Sequence, residues 1–307
     1  MESLPCCLRL GREYSVEMSI DDINNGAARI KKLVQSGKPF FIGRNGTIEI
    51  QTIQYYLGRK GSPYPEQIRE YIERNAGVFP ATDASLDAWA KAYIKSLEEL
   101  DGVAAGWYES TKMFEDRLLK TSAALAFRCP LRSLEPYYVE PGIQWTRALE
   151  GKRVCVVSSF TKSIQSQLKV SGIWAGENKL MLPYSVDWCF VQTGYSPKLG
   201  LGKCEWPAGI VSWDAAVASV VEQVVATRPD IALIGCGGLG MVMAAELKRR
   251  GVSAIVMGGA IQVLFGIKGR RWSSHGVISK YWNAAWVWPA DDEVPGGANE
   301  VEGGCYW

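Results

Sequence analysis

Short continuous apolar runs alternate along this chain with longer stretches in which apolar residues recur every three or four positions. The clearest case is 231–272, IALIGCGGLGMVMAAELKRRGVSAIVMGGAIQVLFGIKGRRW. Ile231 to Ile234 is too short for a surface helix but long enough for a buried strand. Gly235, Gly237, Gly238 and Gly240 follow, and Met241 to Arg250 predicts a helix with Met243, Ala244 and Leu247 on one face. Gly251 stands where a helix C-cap glycine belongs. Ala254 to Met257 predicts a second buried strand, ending at Gly258-Gly259. Strands that are apolar throughout belong to a parallel sheet covered on both faces, so this is a β-α-β unit.

The same grammar recurs upstream. Asp21-Asp22 starts a helix that runs through Ile23, Ala27, Ile30 and Leu33 to Gly37. Phe40 to Ile42 predicts a strand, Gly43-Arg44-Asn45-Gly46-Thr47-Ile48-Glu49 a turn, and Ile50, Ile53, Gln54 and Leu57 a second helix. Residues 64–128 predict a helical insertion or lid of three helices, Pro65 to Arg74, Ser85 to Leu100 and Phe114 to Phe127. Leu134-Glu135-Pro136-Tyr137-Tyr138 follows, then a helical turn at Trp145 to Leu149. Arg153 to Val157 predicts another strand, followed by Ser158-Ser159-Phe160-Thr161-Lys162-Ser163 and a helix starting at Ile164. VDWCFVQT ends a further strand-like piece at 179–193, and Trp213 to Ala226 is an amphipathic helix leading into the 231 strand. The expectation is an α/β fold: one Rossmann-like domain over 1–307, mostly parallel, with helices on both faces.

Open α/β sheets bind ligands beyond the carboxyl ends of their strands. Glycine there lets backbone N–H groups approach a ligand, and a helix N-terminus favours an anion. Phosphate is therefore the expected guest of Gly235, Gly237 and Gly238, with Lys268, Arg270 and Arg271 following the second cluster. The plainer alternative is that these glycines only permit tight turns and close helix–strand packing. Ser158, Ser159 and Lys162 make a second expected phosphate pocket. Arg44 and Glu49 fall at the same edge; Glu49 can hold a metal, act as a base, or simply support the first helical turn. The tail from Asn283 to Trp307 ends in aromatics and is expected to fold back over the site.

Composition narrows the partners. A net charge of +2 over 307 residues, with no basic patch interleaved with aromatics, gives no reason to expect nucleic acid. Twelve tryptophans and thirteen tyrosines suit sugar stacking, though aromatics also fill cores. The eight cysteines include the vicinal Cys6-Cys7 but no CxxC pair, which predicts free thiols in a reducing, cytoplasmic compartment. The amino end, MESLPCCLRLGREYS, lacks the long apolar core of a signal peptide, and no apolar run is long enough to span a membrane. A triad hydrolase is not expected, because His275 is the sole histidine and no G-x-S-x-G elbow exists. His275 itself is either a base or a surface loop residue.

The order strand–GRNGTIE, helical block, KRVCVVSSF, DIALIGCGGLGMVMAAELKRRGVSAIVMGG resembles the GT-D class of glycosyltransferases. In that class an R-x-G-D-G-E turn follows the first strand, and a later strand–helix–strand segment closes the sheet. The resemblance covers about 38–265 and puts Arg44, Gly46 and Glu49 on the R, first G and E of the turn. It implies a nucleoside-diphosphate sugar as donor and a glycan hydroxyl as acceptor. Taken together with the strand-end residues, the reading names Glu49 and His275 as candidate catalytic residues, and Gly43, Arg44, Gly46, Thr47, Ser158, Ser159, Lys162, Gly235, Gly237, Gly238, Gly258, Gly259, Gln262, Lys268, Arg270 and Arg271 as candidates for binding the nucleotide sugar. The class binds its divalent metal, Mn or Mg, through an acid-x-acid pair. Here Thr47 and Val256 stand where the class has Asp, so Glu49 alone is left for the metal and the requirement for it should be weak or absent. The competing expectation is a Rossmann enzyme binding a dinucleotide or S-adenosylmethionine through IGCGGLG. It lacks the acidic residue about 20 positions on that a dinucleotide fingerprint wants.

Overall fold

A computed structural model describes residues 20–106 and 108–307; the amino end with Cys6-Cys7 lies outside them. Seven parallel strands form one sheet: β1 (Phe41–Arg44), β2 (Gly102–Ala104), β3 (Phe127–Cys129), β4 (Arg153–Ser158), β5 (Asp187–Gln192), β6 (Ile231–Gly235) and β7 (Ser253–Val256). Their order is β3-β2-β1-β7-β6-β4-β5.

Alternate residues of each central strand feed two cores, one on each face. Phe41, Cys155, Val157, Ala232, Ile234, Ala254 and Val256 belong to the first. Ile42, Val154, Val156, Ile231, Leu233 and Ile255 belong to the second. This two-residue alternation, apolar on both sides, is why the strands read as continuous apolar runs. Helices Thr47–Gly58, Asp83–Ser96, Trp213–Ala226 and Gly240–Arg249 cover the first core. Ile20–Gln35, the short helix Ala260–Leu264 and much of the carboxyl tail cover the second.

The segment 64–128 differs from the expected helical insertion or lid. Its helices are Glu66–Arg74, Asp83–Ser96 and Glu109–Leu119, but it also carries β2 and β3, which extend the sheet beyond β1. The expected third helix, Phe114 to Phe127, ends eight residues early, and Phe127 opens β3. Three-residue strands are too short to show a period, so the helical spacing around them dominates the sequence signal. Trp89 and Tyr93 of Asp83–Ser96 are buried in the first core, so this helix is part of the body of the fold.

Neighbouring strands send their chains to opposite faces at β1 and β7. After β1, helix Thr47–Gly58 places Ile50 and Ile53 in the first core. After β7, Ala260 and Ile261 enter the second. In open α/β sheets such a divergence marks the place, at the carboxyl edge between the two strands, where ligands bind.

Candidate functional site

The turn after β1 is built by close packing. Gly43 is buried, and a Cβ there would lie 2.6 Å from the Met241 sulfur. Gly46 is the extended N-cap of helix Thr47–Gly58, and a Cβ on it would strike the Glu49 carboxylate. Glu49 thus folds back over its own turn. Burial raises its carboxyl above the ordinary range, opposed by its own backbone N–H and by the charge of Arg44. Beneath the turn, Asn45 is fixed on both sides: its Nδ2 donates to Glu115 Oε1 at 2.8 Å, and its Oδ1 accepts from the Tyr93 hydroxyl at 2.9 Å. Glu115 is itself buried and also accepts the Gly106 N–H at 2.8 Å. A satisfied buried network of this kind holds a turn rigid.

At the end of β7, Gly258 has φ +59, and the Arg44 guanidinium lies about a van der Waals contact from where its Cβ would be, at 3.5 Å. Gly259 is covered by the Tyr306 ring, with a Cβ there 2.7 Å from Cε1. Arg271 lies 4.7 Å over the same ring, donates to its hydroxyl at 3.0 Å and pairs with Glu302. The charge of Arg44 reaches Tyr137 and Tyr306 as well as Glu49. Arg44, Glu49, Gly258, Gly259 and Arg271 therefore gather around the β1–β7 crevice, with Tyr306 of the tail as one wall. Gln262, expected at the ligand, is fully buried; its Nε2 donates to the Lys268 and Tyr306 carbonyls, both at 2.7 Å, so it ties the tail down.

The end of β4 holds its own anion. The Lys162 N–H donates to Glu293 Oε1 at 2.7 Å, the Ser163 N–H to Oε2 at 3.2 Å, and the Ser163 hydroxyl bonds the same carboxylate. Lys162 Nζ pairs with Asp292. Ser158 and Ser159 are buried; Ser158 Oγ accepts the Phe160 N–H at 3.2 Å, and the Ser159 carbonyl accepts from Gln192. Of the groups expected to cradle a phosphate, Lys162 thus meets Asp292 and Glu293 of the tail, while Ser158 and Ser159 bond to Phe160 and Gln192.

The loop after β6 is likewise filled by protein. The Gly238 N–H donates to the Ala76 carbonyl at 2.8 Å, and Trp89 Nε1 donates to the Gly238 carbonyl at 3.0 Å. A Cβ on Gly237 would lie 2.5 Å from the Ala76 oxygen, and one on Gly235 2.6 Å from Ile261. Here the glycines serve close packing, the plainer of the two readings.

The remaining expected residues spread along the tail. His275 Nδ1 accepts the N–H groups of Val277 and Ile278, which leaves Nε2 to carry the proton facing the Tyr138 hydroxyl at 3.2 Å. Arg132 stacks 4.1 Å over Tyr138. Arg270 reaches the Gly303 carbonyl at 3.1 Å, and Lys268 sits 5.6 Å from the Trp282 ring centre. Thr47 lies part-exposed in the first turn of its helix. Sequence reasoning did not single out Glu115, Glu293, Glu302 or Tyr306. The one available signal for the last three was the acidic, aromatic-ended tail.

All six described cysteines are free, and no described helix is long and apolar enough to cross a membrane. Among the described residues no group of three His, Cys, Asp or Glu side chains is placed to hold a metal ion.

No family model and no curated protein matches the chain. Solved structures similar to it include a glycosyltransferase (DUF1792) from Streptococcus sanguinis, at 13% identity and a TM-score of 0.45, covering 90% of this chain and 95% of that one. A selenomethionine form of a domain of unknown function, DUF1792, is similar at 13% identity and a TM-score of 0.43, over 90% of this chain and 96% of that one. A DUF1792 domain described as having a distinct glycosyltransferase fold is similar at 12% identity and a TM-score of 0.38, over 88% and 96% of the two chains.

Proposed function

We propose that this chain is a glycosyltransferase, moving a sugar from a nucleoside-diphosphate sugar to a hydroxyl of a glycan acceptor in the β1–β7 crevice. The observation that carries the reading is the meeting of Arg44 and Glu49 with Gly258 at two strand ends whose chains leave to opposite faces. In the reaction, the acceptor oxygen attacks the anomeric carbon. The bond from that carbon to the diphosphate oxygen breaks, and its electron pair leaves with the diphosphate. The acceptor proton passes to Glu49. A carboxyl raised by burial is a better base near neutrality than an ordinary one. Arg44 and Arg271 supply positive charge for the departing diphosphate. Tyr306 has its ring face already against Arg271 and is the wall for the nucleotide.

The donor set fits a divalent ion poorly. The turn offers the Glu49 carboxylate and the Thr47 hydroxyl, where an acid-x-acid pair would offer two carboxylates, and Mg or Ca sites take about six oxygen ligands or more. Free thiols support work in a reducing, cytoplasmic setting.

Thermal-shift and calorimetric titrations with UDP-, GDP-, ADP- and dTDP-sugars, against S-adenosylmethionine and NAD, test the reading. At least one nucleotide sugar should raise Tm by mass action. Binding of S-adenosylmethionine or NAD alone would overturn it.

A further inference from the structure

We propose that Cys155 and Cys189 are a reversible dithiol–disulfide pair, closed by exchange with a disulfide of low molecular weight, with Cys189 as the attacking thiol and Cys155 as the resolving one. Strand β6 separates the pair from the β1–β7 site, and its chemistry does not depend on the glycosyltransferase reading.

The sheet register makes the pair. β4 and β5 run parallel, and Cys155 stands directly opposite Cys189. Among the described residues no other strand pairing sets two cysteines opposite one another. Residues opposite one another in a ladder point to the same face, and both of these side chains pack in the first core. Neighbouring strands lie about 4.7–4.9 Å apart, within the Cα separations of about 4.4–6.8 Å that a disulfide spans. The bond also wants its two Cβ atoms within about 3.5–4.5 Å, which asks β5 to lean towards β4. As the edge strand, paired to β4 alone, β5 can lean without breaking a second ladder.

Exposure sets the order of attack. Cys155 is fully buried, whereas Cys189 is partly open to solvent. The Cys189 S–H donates to the Val154 carbonyl at 3.6 Å, and its Sγ lies 3.3 Å from the Thr227 hydroxyl. A hydrogen bond shared with Cys155 lowers the Cys189 thiol below its usual range; Thr227 and the charge of Arg153 act the same way, against burial and Asp187. The same shared bond, with burial, raises Cys155. Reactive thiols sit in partly exposed surroundings of this kind, beside a positive charge.

The exchange takes two steps. The Cys189 thiolate attacks one sulfur of the small disulfide; a mixed S–S bond forms, and the other sulfur leaves as a thiolate. Cys155 then loses its proton and attacks the Cys189 sulfur. The mixed bond breaks, and the second small thiolate leaves. The two protons of the cysteine thiols end on the two leaving thiolates. Two electrons have passed from the cysteine pair to the small disulfide, which is reduced to two thiols. In a reducing compartment such a bond is transient, the form that a redox-sensing pair takes.

The reduced full chain, incubated under native conditions with hydroxyethyl disulfide, quenched with iodoacetamide and digested for mass spectrometry, tests the proposal. Two peptides joined through Cys155 and Cys189 should appear, and dithiothreitol should part them. Mapping separates this bond from any made by Cys6 and Cys7. Cys155→Ala should leave the mixed disulfide standing on Cys189, since the resolving thiol is gone, and Cys189→Ala should leave Cys155 unmodified. In the reduced parent, Cys189 should be alkylated about tenfold faster than Cys204 and Cys236, the other partly exposed thiols among the described residues. Should a variant misfold, the parent alone decides. The proposal is overturned if the parent gives no joined peptide, keeps a mixed disulfide on Cys189, or joins the two only in urea. Faster reaction at Cys204 or Cys236 overturns the role given to Cys189.

Discussion

Two glycine-rich strand ends in this protein look alike in sequence and behave differently in space. After β1, GRNGTIE keeps Arg44 and Glu49 at the carboxyl edge, with Gly46 making room for the Glu49 carboxylate. After β6, GCGGLG spends its glycines on the Ala76 carbonyl and on Trp89. A missing Cβ lets a backbone approach something closely, but it does not say whether that something is a ligand or another stretch of chain. What separates the two ends is the neighbour: segment 76–78 presses on the second, whereas Cβ atoms at Gly46 and Gly258 would meet the side chains of Glu49 and Arg44.

Glu49→Gln should bring the largest change, on activity. With the base removed, turnover should fall by about 10²–10⁴-fold while the chain stays folded. Sugar transfer at the parental rate would move the chemistry away from the β1 end.

The same variant sharpens the comparison through pH. Burial raises the Glu49 and Glu115 carboxyls above their usual 4.5, so the folded chain holds their protons more tightly than the unfolded one. Stability from these groups is then full below about pH 4.5 and is lost as pH rises through each folded value. Glu49→Gln imitates the protonated form. Its Tm at neutral pH should match or exceed that of the parent, and its loss of Tm with rising pH should be shallower. A clear drop in Tm at pH 7 would mean that Glu49 serves the helix turn instead.

At the β6 end the expected effect is on folding. Gly237 has φ +45, and its Cβ would meet a backbone oxygen at 2.5 Å, so Gly237→Ala should cost about 2–4 kcal/mol in a denaturant titration. Unchanged stability would return this loop to the list of ligand cradles.

A smaller effect is expected at the β4 end. Glu293→Ala removes the carboxylate from two N–H groups and a hydroxyl of the helix start, which should cost about 1–2 kcal/mol. The smallest concerns metal. With Thr47 where the GT-D class has Asp, EDTA should leave nucleotide-sugar binding within about twofold, and restoration by manganese of a lost signal would show that Glu49 suffices as its anchor.

Much of the fold was legible because burial on both faces forces apolar runs. β1, β4, β6 and β7 were all expected within a residue or two, and the helix after β6 within one; the helices after β1 and β4 begin three residues earlier than expected, and Ala260–Leu264 was not expected. β2 and β3 were not. With three residues each they pair with neighbours that the sequence does not name, and the helical spacing on either side hides them. His275 was visible as a lone histidine, but its tautomer came only from the Val277 and Ile278 N–H groups.

Local sequence determined where strands end, where glycine breaks them, and that Arg44 and Glu49 stand on one turn. These follow from periodicity and steric freedom within about ten residues. Tertiary structure alone decided which strand ends stay open. Glu293 lies 130 residues from the Ser163 N–H that it binds, Ala76 lies far from Gly237, and Tyr306 closes over Gly259 from the far end of the chain. Each is a contact between groups that can satisfy one another only once the sheet has brought them together, so no local pattern encodes it.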